Sequence, residues 1–377
     1  MNLKIVILAG ILLMPLISCY YNPRAFELDI FYPEEKLPPN SRLFIRGSGA
    51  TLSWDYGLPL RHSDKDHFTI QLPSLTPLEF KILINDSIWQ KGKNLNLSLI
   101  PNSNPVFYPY FFETEGHYFQ LPDQITSSLL DNTRTVSVYL PPSYIENPYS
   151  QGHHTEILIM SDGQMVFGPE TSKGETPMHA EQTFDSLIAQ DLIPQVIAIA
   201  PWSNQERTNE YTYSYDEGEQ SGGDGDLYLD FVEQELLPWV RGYVKFAEDY
   251  NPVLQGASLG GLISCYSCWT RQFYNACICL SSSFWWNKQD FEATVMEEPP
   301  KDTETIFYLD SGDTYDCIDS LIVVREKFEA DYSKLEHMFY VDKGATHNFE
   351  AWGKRFYIPM QFIYNGLSMK IKNNHSF

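Results

Sequence analysis

The period of apolar positions changes several times along the chain. Residues 5–17 form one apolar run behind Lys4. About 20 residues are needed to cross a bilayer, so this run fits the core of a secretory signal peptide over residues 1–18. Residues 19–40 hold Pro23, Pro33, Pro38 and Pro39 without a clean period and predict a tether. From 41 to 112, short alternating stretches at 42–46, 67–72, 78–85 and 95–100 are separated by Gly, Asp and Asn turns, which predicts a small all-β sandwich.

A linker over 113–131 precedes a different rhythm. Between 132 and 370, strand-like runs at 133–139, 156–160, 195–200, 252–255, 276–280, 306–310 and 337–341 are interleaved with helix-like stretches that include 178–190, 226–240, 259–269 and 319–332. Interleaving of this kind predicts a doubly wound α/β sheet.

Of 377 residues, 26 are basic and 49 acidic, a formal charge of −23, which argues against partners held by phosphate neutralisation, nucleic acid first among them. The 24 Tyr, 23 Phe and 8 Trp suit sandwich cores, sugar platforms and acyl pockets alike. The apolar run ends in Leu16-Ile17-Ser18-Cys19, which resembles the lipobox of bacterial lipoproteins. That resemblance implies cleavage before Cys19, lipidation of its thiol and attachment to an envelope membrane. Five further cysteines leave at least one thiol free even in an oxidising compartment. Cys265 and Cys268 lie in an apolar helical stretch, and Cys277 and Cys279 share one face of a strand. Core packing is expected of them, and no metal site.

The chemistry concentrates at Gly256-Ala257-Ser258-Leu259-Gly260, followed by Gly261, between a predicted strand and a predicted helix. In a G-x-S-x-G elbow the glycines permit a sharp turn that lifts the Ser hydroxyl clear of the sheet. A hydroxyl barely ionises at neutral pH and needs a base of matched proton affinity, imidazole above all. With acid and then His following the Ser, His337, His347 and His375 qualify by order. His337 opens a strand and His375 lies in the polar tail, whereas His347 sits in a loop past a strand's C-terminal end, where such sheets gather their chemistry. The loop after the preceding strand carries Asp310, Asp313, Asp316 and Asp319. Asp310 ends the strand and Asp319 fits a helix cap, which leaves Asp313 and Asp316 as acids to hold the imidazole. Two donors must face the oxyanion. One is the Leu259 amide; the other comes from Ser161-Asp162-Gly163-Gln164, with Gln164 first and Gly163 the alternative.

In order along the chain, Val138-Tyr139-Leu140-Pro141-Pro142-Ser143-Tyr144, Met160-Ser161-Asp162-Gly163-Gln164, Arg207-x-x-Glu210-Tyr211, Gly222-Gly223-Asp224, the elbow and Gly344-Ala345-Thr346-His347 up to Trp352 resemble one esterase family. It includes enterochelin esterases, feruloyl esterases, esterase D and mycolyltransferase antigens. The resemblance spans about residues 132–365 and implies an α/β-hydrolase fold with Ser258 as nucleophile and His347 as base. Many relatives place the acid three residues after a glycine. Here Gly312-Asp313-Thr314-Tyr315-Asp316 has one residue more, and counting to the end of the following helix favours Asp316. The usual Gly-Gly-His is replaced by Ala345-Thr346-His347.

The 41–112 region resembles a starch-binding or early-set sandwich through Leu43-Phe44-Ile45-Arg46-Gly47, Leu52-Ser53-Trp54-Asp55, the 80–86 stretch and Trp89-Gln90-Lys91-Gly92-x-Asn94. Trp54 and Trp89 are candidates to stack on a sugar, with Lys81, Gln90 and Asn94 fixing its hydroxyls; the alternative is that all of them brace the domain. Trp285 and Trp286 are candidates for an acyl or sugar wall, and Arg207, Glu210 and Tyr211 either line the entrance or anchor a loop. Together these readings describe a cofactor-free serine esterase, lipid-anchored on the periplasmic or surface side, acting on a small-molecule ester or an acylated glycan, siderophore-like esters included. The alternatives are an acyltransferase of the same fold and a non-catalytic glycan-binding lipoprotein.

Overall fold

The computed structural model describes residues 25–73, 77–97, 104–168 and 175–374; the expected signal peptide and Cys19 lie outside them. The N-terminal region is a sandwich. One sheet is ordered Arg61–Asp64, His67–Pro73, Ala25–Phe31, Val106–Phe107, and the other Leu58–Pro59, Leu43–Ser48, Leu78–Ile84, Ile88–Trp89, with Leu95–Leu97 also on Leu78–Ile84. The sandwich starts earlier than expected, because part of the supposed tether is a strand. Ala25–Phe31 runs antiparallel to His67–Pro73, Ala25 opposite Pro73 and Phe31 opposite His67. Leu28 and Ile30 alternate into the core at 0% exposure, and burying each contributes about 2 kcal/mol.

The expected linker also contributes strands. Ile125–Ser127 pairs with Asn132–Arg134, while β1 (His117–Gln120) joins the main sheet by pairing antiparallel with β2 (Val136–Leu140). That sheet continues with β3 (Glu156–Met160), β4 (Ile197–Pro201), β5 (Asn251–Ala257), β6 (Ala276–Leu280), β7 (Ile306–Gly312) and β8 (Glu336–Asp342), in the spatial order β1-β2-β4-β3-β5-β6-β7-β8. β1–β2 and β2–β4 are antiparallel; every other neighbouring pair is parallel.

Strands buried on both faces alternate their apolar side chains between two helix layers. Ile157, Ile159, Cys277, Cys279, Phe307 and Leu309 join Leu262 and Cys265 of α2 (Leu259–Thr270) and Phe328 of α3 (Ile318–Asp331). Leu158, Met160, Ile278 and Tyr308 join Phe184 of α1 (Ala180–Ala189) and Met360 and Ile363 of α5 (Tyr357–Asn374), which follows α4 (Phe349–Arg355). All four cysteines of the apolar α2–β6 region are buried.

The sandwich is fixed to the α/β domain by Glu146, itself 1% exposed. Its carboxylate accepts the Tyr32 hydroxyl at 2.8 Å and the Phe111, Phe112 and Glu113 amides at 2.7 Å each. Asn147 adds amide bonds to the Phe31 and Pro109 carbonyls, both 2.9 Å.

Candidate active site

β5 ends at Ala257 and α2 starts at Leu259, so Ser258 alone makes the turn, at φ 59° and ψ −122°. A non-Gly residue in that region carries about 1–3 kcal/mol of strain and persists only where its surroundings over-determine it. Here they do. A Cβ on Gly256 would stand 2.1 Å from the Gly260 carbonyl oxygen, so only glycine lets the helix start pack onto the strand. The Ser258 amide donates to Leu280 at the end of β6, and Ser283 donates back to Ser258. The partly exposed Ser258 hydroxyl lies 3.2 Å from that of Ser283.

Two further loops leave the same C-terminal edge, after β7 and β8, and are knitted together. Thr314 donates to Ala345, the Gly344 amide to Asp313 at 2.7 Å, and a Cβ on Gly312 would lie 2.2 Å from the Ala345 oxygen. This packing brings His347 Nδ1 to 2.7 Å from Asp316 Oδ1. Trp352 of α4 meets the imidazole edge-on at 5.0 Å, and Asn348 caps α4 by accepting the Ala351 amide. Burial pushes the Asp316 carboxyl up, but bonds from His347, Ser281, Gly312 and Cys317 outweigh it and hold the pKa at about 2.

Ser281, which the sequence did not single out for a role of its own, is the hub beneath. Its hydroxyl donates to Asp316 Oδ2 at 2.7 Å and accepts from Trp352 Nε1 and Arg355 Nη2 at 2.9 Å each. Arg355 is in turn paired with the buried Asp310 at 2.9 Å. Asp310 thus points into the sheet as a structural ion partner.

The loop after β3 is equally constrained. Asp162 takes φ 58°, and a Cβ on Gly163 would fall 2.1 Å from the Ala200 carbonyl of β4. The Gln164 side chain is turned onto Ser203, donating at 2.7 Å and accepting at 3.1 Å. Leu259 is the first residue of α2, where an N–H has no partner within the helix. Arg207 grips Asp162 through two bonds of 2.7 and 2.8 Å, and the Tyr211 hydroxyl accepts the Asp162 amide at 3.2 Å.

Residues 127–361 match the model of the family described as "Putative esterase". The chain belongs to this family. It is a carboxylic ester hydrolase with an α/β-hydrolase fold. The siderophore triacetylfusarinine C esterase of Aspergillus fumigatus is 35% identical over 66 residues, which cover 17% of this chain and 23% of that protein, so the chain matches under a quarter of that relative's length. In fold it is similar to the BES protein of Bacillus cereus (18% identity, 65% of this chain and 94% of that one, TM-score 0.51). It is also similar to the enterobactin esterase of Shigella flexneri solved in the presence of enterobactin (14% identity, 92% and 95%, TM-score 0.51).

Several residues expected to touch substrate in this esterase do other work. Tyr211 is 0% exposed, so it braces the loop after β3 and does not line an entrance; Arg207 anchors the same loop. Trp286 is 2% exposed and its indole donates to the Ser214 carbonyl at 3.0 Å, so it is core. Trp285 is 46% exposed and lies beside Cys317, the neighbour of Asp316. In the sandwich, Trp54 and Trp89 stack on each other at 6.3 Å, and Arg46 lies over Trp89 at 5.4 Å. Lys81 donates to the Gly92 carbonyl, Gln90 accepts the Ile82 amide and Asn94 bonds Glu79. Those three polar groups brace the domain's own turns.

Proposed function

We propose that this esterase works through an acyl-enzyme on Ser258, with His347 as base, Asp316 as its partner and the Leu259 and Gln164 amides as oxyanion donors. The observation that carries the reading is the 2.7 Å His347–Asp316 contact, built at the sheet edge that also presents Ser258. Asp316 keeps the imidazole proton on Nδ1, so Nε2 is free to accept the Ser258 proton as Oγ attacks the ester carbonyl. The Ser258 hydroxyl leaves Ser283 for the imidazole as substrate enters; catalytic hydrogen bonds are often incomplete without substrate. The protonated imidazole then hands its proton to the departing alcohol, and water activated by the same base releases the acid. An active-site fluorophosphonate should label the wild type and spare Ser258→Ala; equal labelling would refute the assignment.

The exposed position of Trp285 and the siderophore esterases among the similar proteins support an aromatic acyl or siderophore-like ester as substrate. A screen of acetyl, feruloyl and catechol-lactone esters against wild type and Ser258→Ala tests this. The Leu16-Ile17-Ser18-Cys19 run supports a lipid anchor to an envelope membrane. Cys19→Ala should move the protein from the membrane to the soluble fraction, and an unchanged distribution would remove the anchor from the model.

A further inference from the structure

Cys317 takes no part in that chemistry, yet its Sγ lies 3.8 Å from His347 Nδ1. The thiol, this nitrogen and an Asp316 oxygen all lie within 4.8 Å of one another. We propose that Asp316, Cys317 and His347 form a binding site for a thiophilic divalent cation, zinc above all, which switches the esterase off by taking His347 Nδ1. This builds on the triad assigned above.

One sulfur, one imidazole nitrogen and one carboxylate oxygen are a zinc donor set, and a fourth position left to water completes a tetrahedron. With Zn–S near 2.3 Å and Zn–N near 2.0 Å, tetrahedral angles put S and N about 3.6 Å apart, close to the 3.8 Å found. The same geometry asks for about 3.3 Å between N and O. The 2.7 Å found there is the length of a hydrogen bond, so the ring must swing outward by about half an ångström. Room exists for that, since the His347 side chain is 32% exposed. The carboxylate would be held from behind by Ser281 and the Gly312 amide, at 2.7 Å each, the kind of outer support that fixes metal ligands. Cys265, Cys277 and Cys279 also gather within 4.8 Å, but all three are fully buried, with no route for a hydrated ion.

Binding would release the thiol proton to solvent and shift the imidazole proton from Nδ1 to Nε2. Nε2 is the atom that must accept the Ser258 proton, so a cation on Nδ1 leaves a neutral ring that can no longer act as base. Inhibition follows from capture of the wrong tautomer, with the substrate pocket left open.

The test is p-nitrophenyl acetate hydrolysis against added zinc chloride, followed by a chelator. Wild type should lose at least about tenfold in rate at micromolar zinc and recover on chelation. Cys317→Ser should need at least about tenfold more zinc for the same fractional loss relative to its own metal-free rate. A second readout needs no turnover: cobalt(II) added to Ser258→Ala should give a thiolate-to-cobalt charge-transfer band that vanishes in Ser258→Ala/Cys317→Ser. Failure of the triad would abolish hydrolysis and leave this band intact. Equal zinc sensitivity in wild type and Cys317→Ser, or a cobalt band unchanged by the cysteine substitution, would overturn the site.

Discussion

His347 and Asp316 meet across two loops at 2.7 Å, while Asp313, three positions before Asp316, directs its carboxylate to the Gly344 amide. The two acids therefore have different tasks: one orients the imidazole, the other ties the loops. Asp316→Asn should lower kcat by about 10³–10⁴-fold, because an amide favours the wrong tautomer. Asp313→Asn should cost less than about tenfold. Steady-state kinetics on one ester decide it, and equal losses would move the acid's role.

Asp316 also makes stability depend on pH. Its folded-state pKa of about 2 lies below the value of about 3.9 in an unfolded chain. A depressed folded-state value contributes stability above the unfolded value, and that contribution is lost as pH falls through the folded one. The stability gap between wild type and Asp316→Asn should be open at pH 6, narrow below about pH 4 and nearly close at about pH 2. Denaturant melts at those three values measure it; a gap that ignores pH would show that the carboxylate's charge contributes nothing.

Ser281 is predicted to be a positioning residue. Ser281→Ala removes a donor to Asp316 and strands the Trp352 and Arg355 donors, a cost of about 1–3 kcal/mol. The expected signature is a fall in kcat of about tenfold with KM little changed, since nothing in the substrate path is altered. A rise in KM at constant kcat would place Ser281 against substrate instead.

The loop after β3 is held by a buried ion pair. Arg207→Met leaves Asp162, 2% exposed, as an unpaired buried charge, and losing one partner of a buried pair costs about 3–5 kcal/mol. If the loop's amide serves the oxyanion, kcat should fall by about 10²-fold while fluorophosphonate still labels Ser258. Thermal melts and kinetics together separate the two effects; unchanged kcat beside a lowered Tm would show a purely structural loop.

Legibility in the sequence followed the strength of local pattern. Strands such as Glu156–Met160 and Ala276–Leu280 are continuous apolar runs, and their bounds were readable to the residue. Ala25–Phe31 was not, since the alternation of Phe26-Glu27-Leu28-Asp29-Ile30 stops at Phe31 and lies between prolines typical of a tether. Backbone pairing with His67–Pro73 decides that segment, and pairing partners are not local information. The Gly-rich elbow named Ser258 through its own chemistry. Tyr211 and Trp286 could be placed near the site but not oriented, since burial of an aromatic depends on which distant element covers it. Ser281 was hidden in a run of three serines whose individual directions only the fold distinguishes.

β2 runs antiparallel to its neighbour β4, so the Pro142–Glu146 segment that follows it lies at the N-terminal edge of the parallel strands, opposite the edge carrying Ser258. Removing the Glu146 carboxylate should therefore damage stability and spare chemistry. Glu146→Ala leaves three backbone N–H groups and the Tyr32 hydroxyl without an acceptor. At about 1 kcal/mol or more for each stranded donor, the loss should exceed about 3 kcal/mol; Glu146→Gln, with one acceptor oxygen left, should fall between. Calorimetry should show the sandwich melting ahead of the α/β domain, while kcat well below the first transition stays within about twofold of wild type. A large fall in kcat at low temperature, with the melt unchanged, would mean that the junction communicates with the catalytic edge after all.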